Sequence, residues 1–138
     1  MSSGLALLFV AVIVVGVALL VVISATRRPG KTLNQAKYRE KWMRIMNEID
    51  NHNQSSLAIG VLNADRLVDE ALRERGIPGE TLGERMKNAK ALFSDRQGLW
   101  DAHKLRNRIA HEELKVSARQ AHSALNKFKT ALKDVGAL

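Results

Sequence analysis

No cysteine occurs in this chain, which removes disulfides, thiolate metal sites and a thiol nucleophile, and suits a domain kept in a reducing compartment. A metal would have to rely on four histidines and on carboxylates. Aromatic residues make up only 4%, and after residue 26 no stretch alternates polar with β-branched residues, so the usual strand signal is missing. An all-α fold follows. There is no Gly-rich phosphate loop, no nucleophile elbow and no spaced pair of catalytic carboxylates. His111-Glu112-Glu113 begins like a zincin motif, but the second histidine would have to stand at Lys115. A length of 138 residues leaves no room for two domains once a membrane segment is set aside.

What is present begins with an uncharged run. From Gly4 to Ile23 every residue is apolar or glycine, and about twenty helical residues at roughly 1.5 Å each span a hydrocarbon layer of roughly 30 Å. A cleaved signal peptide would need a basic start, a shorter apolar core and a small-residue cleavage site. Met1, Ser2 and Ser3 carry no side-chain charge, and Ser24-Ala25 is followed at once by Arg27 and Arg28, so residues 1–26 are expected to stay as a transmembrane anchor in the bilayer. Arg27, Arg28 and Lys31 hold the flanking positive charge, which places the C-terminal domain on the cytoplasmic side of the inner cell membrane. No small-residue pair around Gly16 supports a GxxxG contact, because Val12 and Leu20 occupy the partner positions. Residues 27–31, with Pro29 and Gly30, read as a short basic hinge.

The formal net charge is +8; the three hinge residues account for three, leaving 19 basic against 14 acidic groups over residues 32–138. That surplus suits a phosphate-bearing partner or a lipid surface. Apolar spacing predicts five short helices. The first is capped by Thr32 with Gln35 and carries Tyr38, Trp42, Ile45, Met46 and Ile49, running to about Asn51. A second spans about Ser55 to Arg75, with Leu57, Val61, Ala64, Val68, Ala71 and Leu72 on one stripe, and stops at Gly76. Thr81 with Glu84 opens a third, carrying Met86 to Phe93; Asp95 caps a fourth ending near His111; Ser117 with Gln120 opens the last. Asp65, Asp69 and Glu70 against Arg66, Arg73 and Arg75 read as a solvated, ion-paired face. His52 and His122 read as surface residues.

The most unusual composition is Leu105-Arg106-Asn107-Arg108-Ile109-Ala110-His111-Glu112. Its plain reading is solvated arginines and a helix-end histidine favoured by the macrodipole. Five residues place His111 roughly 140° round the helix from Arg106, so the two converge only at a loosened helix end or through a second chain. His103 is a second cleft residue or, more simply, a polar group on the bundle rim. Arg106 to His111 resembles the R-x4-H signature of the HEPN helical domains, small four- or five-helix bundles with the motif near the end of a late helix; the resemblance covers about residues 34–136. Leu82-Gly83-Glu84-Arg85 together with the motif also resembles small membrane-anchored bacterial proteins.

The resemblance implies a metal-independent ribonuclease without a cofactor, in which two copies of the chain build one composite site on RNA. Arg106, Asn107 and His111 would be its catalytic residues, with His103 and Arg108 in the cleft. It is also compatible with restraint by a regulatory protein partner. Non-catalytic members of that family keep the fold, so the alternative is a scaffold that binds a protein or nucleic acid at the inner membrane face.

Overall fold

In a computed structural model the described residues are 3–26, 30–112 and 115–138, so the basic pair Arg27 and Arg28 of the expected hinge, with Pro29, lies outside them. The chain divides into two units, Met1–Gly30 and Lys31–Leu138. The first is helix α1, Ser3–Thr26. Its stretch Ser3–Ile23, 21 residues, is long and apolar enough to cross a membrane, and large apolar side chains from Leu5 to Ile23 along it are exposed.

The second unit is all-helical. Helices α2 (Gln35–Asn47), α3 (Gln54–Glu74), α4 (Leu82–Asn88), α5 (Arg96–Glu112) and α6 (Ala118–Asp134) follow one another, with one 3-10 turn at Lys90–Leu92. No strand occurs among the described residues. The caps explain the boundaries. Asn34 rather than Thr32 opens α2, accepting from Lys37 N at 3.2 Å; Asn53 does the same for α3 through Ser56 N. Asparagine ranks above threonine at the N-cap, and Asn34 stands directly before the first helical residue, Gln35. Thr81 caps α4, but Glu84 turns its carboxylate to the N–H of Glu80, so the expected box is only half formed. Asp95 accepts from Gly98 N, and Ser117 with Gln120 makes the full reciprocal box. Gly76 and Gly136 follow α3 and α6 at φ of 86° and 81°, a left-handed turn that a side chain would resist. The third predicted helix breaks after Asn88, and Phe93 enters the core from beyond the 3-10 turn.

Helix α3 is central, packing on α2, α4, α5 and α6. Its stripe of Leu57, Val61, Ala64, Val68, Ala71 and Leu72 meets Tyr38, Met86, Leu99, Leu125, Phe128 and Leu132 in one buried cluster. Burying each large side chain contributes roughly 1.5–3 kcal/mol, and truncating one such as Leu72 to alanine costs roughly 2–5 kcal/mol. Gly60 lets α3 approach Ile49, whose Cδ1 would stand 2.8 Å from an added Cβ. Every buried apolar residue of this cluster lies between Leu33 and Ala137. Residues 31–138 therefore contain a complete core of their own.

Candidate functional site

Alternation along α3 is interrupted by one buried acid. Asp65 stands four residues after Val61 and seven before Leu72, so it lies on the apolar stripe and is 5% exposed. A carboxylate there must be partnered. Its partners come from α5: His103 Nδ1 is 2.7 Å from Oδ1, and Arg106 Nε is 3.3 Å from Oδ2. Arg106 donates through Nη1 to Asn107 Oδ1 at 3.0 Å, which orients the amide so that its nitrogen faces His103 Nε2 at 3.4 Å. A carboxylate can only accept, so His103 donates to Asp65 from Nδ1, and its Nε2 faces the Asn107 amide nitrogen. The four side chains close a ring: Asp65, His103, Asn107, Arg106. Only Arg106 Nε is out of line, buried against Asp65 without a hydrogen bond.

The ring forms one wall of a cleft of about 580 Å³, which Arg66, Asp69 and Arg73 of α3 and Thr81, Leu82 and Gly83 at the start of α4 complete. Asp69 is occupied by Arg85, whose Nε is 2.7 Å away and which also donates to the carbonyl of Gly79. Arg85 is itself 6% exposed. With both carboxylates engaged, the exposed guanidinium of Arg66 has no ion-pair partner among the described residues, and the cleft favours anions.

The residues expected as a site therefore separate. Arg106, Asn107 and His103 come together, and His103 is a cleft residue hydrogen-bonded into the ring, not a group on the rim. Arg108 is exposed and pairs with Glu112 at 3.5 Å, outside the cleft. His111 is exposed on the last turn of α5, with no hydrogen bond or ion pair among the described residues. The acidic face of α3 is also corrected: Asp65 is buried, and Asp69 pairs with the buried Arg85 as well as with Arg73. His122 Nε2 meets Asn51 Oδ1 at 2.7 Å, so it is a tertiary contact, while His52 is exposed. Asp65 was the residue missed, although its register with Val61 and Leu72 marked it. Among the described residues no three His, Asp or Glu side chains gather as a metal site.

Comparison with protein-family models, curated proteins and solved structures finds no match to this chain.

Proposed function

We propose that the chain is a membrane-tethered, metal-independent ribonuclease of the HEPN type that acts on RNA as a homodimer, with α1 in the inner membrane and the helical unit in the cytoplasm. The observation that supports this most is the contrast between the two histidines of α5. His103 has both ring nitrogens engaged, whereas His111 is exposed and free to move protons. Arg106 is held against Asp65 but keeps a third of its side chain accessible, enough to offer its guanidinium to a phosphate. In one chain His111 and Arg106 lie on different sides of α5, and a two-fold pairing of α5 ends would bring one copy's imidazole to the other's guanidinium.

In the proposed reaction a neutral His111 takes the proton of an RNA 2′-hydroxyl, whose oxygen bonds to the adjacent phosphorus. The bond from phosphorus to the 5′-oxygen breaks, and the protonated His111 of the second copy gives that oxygen its proton. The products are a 2′,3′-cyclic phosphate and a 5′-hydroxyl. Arg106 stabilises the charge gathering on the phosphoryl oxygens, and Asn107 holds Arg106.

One observation favours a second reading. The ring of Asp65, His103, Asn107 and Arg106 satisfies most of its polar atoms internally, as a lock between α3 and α5 would, and the chain then serves as a scaffold binding a protein or nucleic acid at the membrane. Incubation of residues 31–138 with RNA and a chelator separates the two readings. Cleavage supports the enzyme; intact RNA under all conditions, from a domain that light scattering shows to be monomeric, supports the scaffold.

A further inference from the structure

Trp100 meets the ring of His103 edge-on, with centroids 5.9 Å apart, and also lines a second cleft, of about 380 Å³, between the 3-10 turn and α5. Its floor is apolar: Met86, Phe93 and Leu99 are buried in the core. Its rim is cationic: Lys87, Lys90 and Arg96 are exposed, and none of the three side chains has an ion pair or hydrogen bond among the described residues. The neighbouring carboxylates are committed elsewhere, Asp95 to the N–H of Gly98 and Asp134 to Ser94, each at 2.8 Å. Three exposed cations around an apolar floor match an anion that carries an apolar body.

We propose that this cleft docks the phosphate headgroup of an anionic phospholipid, with Lys87, Lys90 and Arg96 on the phosphate and Phe93 and Trp100 beside the first apolar carbons. This rests on the reading of α1 as a membrane anchor, and on no part of the ribonuclease reading. Only residues 27–30 separate α1 from Lys31, and a link of that length reaches no more than about 18 Å. The helical unit is thus confined to the neighbourhood of the bilayer surface. Charge complementarity and tethering together favour lipid over a soluble anion. Near an anionic leaflet three Lys or Arg side chains are worth about 100-fold in partitioning, which orients a domain already held at high effective concentration. The same three flexible charges hold free phosphate only weakly.

The test uses residues 31–138, which contain a complete core, so its outcome is independent of whether α1 spans the membrane. Co-sedimentation is measured with phosphatidylcholine vesicles, with and without phosphatidylglycerol. The expected result is strong preference for the anionic vesicles, reduced about 100-fold by Lys87→Gln, Lys90→Gln and Arg96→Gln together. A control with the same charge loss on other exposed positions, Arg39→Gln, Lys104→Gln and Lys129→Gln, keeps most of the binding. Equal loss in both triple variants would replace the site by diffuse attraction and overturn the proposal, as would no preference for anionic vesicles. Release from the vesicles by millimolar inorganic phosphate or by a mononucleotide would assign the cleft to a soluble ligand and also overturn it.

Discussion

His103 Nδ1 lies 2.7 Å from Asp65 Oδ1, joining α5 to α3 through two side chains that are 13% and 6% exposed. Removing the carboxylate strands the imidazole N–H and leaves Arg106 Nε with no counter-charge. Asp65→Ala is expected to lower unfolding stability by about 2–3 kcal/mol, read as a shift in urea midpoint for residues 31–138. Asp65→Asn keeps an acceptor for His103 and should lose clearly less. Equal loss in the two variants would mean that the volume at this position matters and the hydrogen bond does not.

Arg85 and Arg73 share the partner Asp69 but not its surroundings. The side chain of Arg85 is 7% exposed and that of Arg73 62%. Breaking a buried pair leaves an unpaired charge in the core and typically costs about 3–5 kcal/mol, whereas an exposed pair four residues apart is worth about 0.3–0.5 kcal/mol. Arg85→Ala should therefore be destabilising and Arg73→Ala nearly silent in the same denaturation assay. Arg85 also holds the Gly79 carbonyl, so its loss should loosen the loop before α4, visible as faster amide exchange at Glu80 to Arg85.

A carboxylate on the opposite face of α3 gives a pH dependence. Tyr38 donates to Glu74 Oε2 at 2.5 Å, and this hydrogen bond, followed by that from Lys37, holds the Glu74 carboxyl below its usual value of 4.5. The folded state then binds that proton less readily than the unfolded chain, so the stabilisation is present above the unfolded value and is lost as pH falls through the lower folded one. Tyr38→Phe should cost most near neutral pH, and the gap to the parent should narrow below about pH 4. Burial, and then Glu74, pushes the Tyr38 phenol up. Its contribution is complete below the unfolded tyrosine value of about 10 and declines as pH rises through the higher folded one. A constant gap from neutral pH to acid would contradict this assignment.

The membrane reading makes a topological prediction. With α1 spanning the inner membrane and positive charge at Arg27, Arg28 and Lys31, a reporter active only in the cytoplasm should work when fused after Leu138, and the chain should keep its N-terminus. A working periplasmic reporter, or recovery of chains cut near Ala25, would contradict it.

Much of this architecture can be read from residue spacing. The stripe from Leu57 to Leu72 identified α3, and Ser117 with Gln120 marked the start of α6, because both signals are local: one helix period and one reciprocal pair of hydrogen bonds. The start of α2 was misplaced because Thr32 and Asn34 both suit a cap, and the hydrogen bond from Lys37 N to Asn34 decides between them. Asp65 was harder. The acids and arginines of its predicted helix, Asp69 and Glu70 with Arg66, Arg73 and Arg75, make an ion-paired surface the economical reading, and its true partners, His103 and Arg106, lie about forty residues on. Spacing within one helix carries no information about which helix will pack against it. The same limit applies to His111, whose proposed role depends on a second copy of the chain.

The most direct test is RNA cleavage by the parent domain, by His111→Ala and by Arg106→Ala, all in EDTA, with the ends of the upstream fragments identified by mass. Arg106 contacts Asp65, so its alanine variant should lose some stability, whereas His111 is exposed and its replacement should leave unfolding within about 0.5 kcal/mol of the parent. The parent is expected to release fragments ending in a 2′,3′-cyclic phosphate, and the folded His111→Ala domain to cleave about 10²- to 10⁴-fold more slowly. Full cleavage by a folded His111→Ala domain, or a parent that leaves RNA intact, would contradict a ribonuclease site built on this histidine.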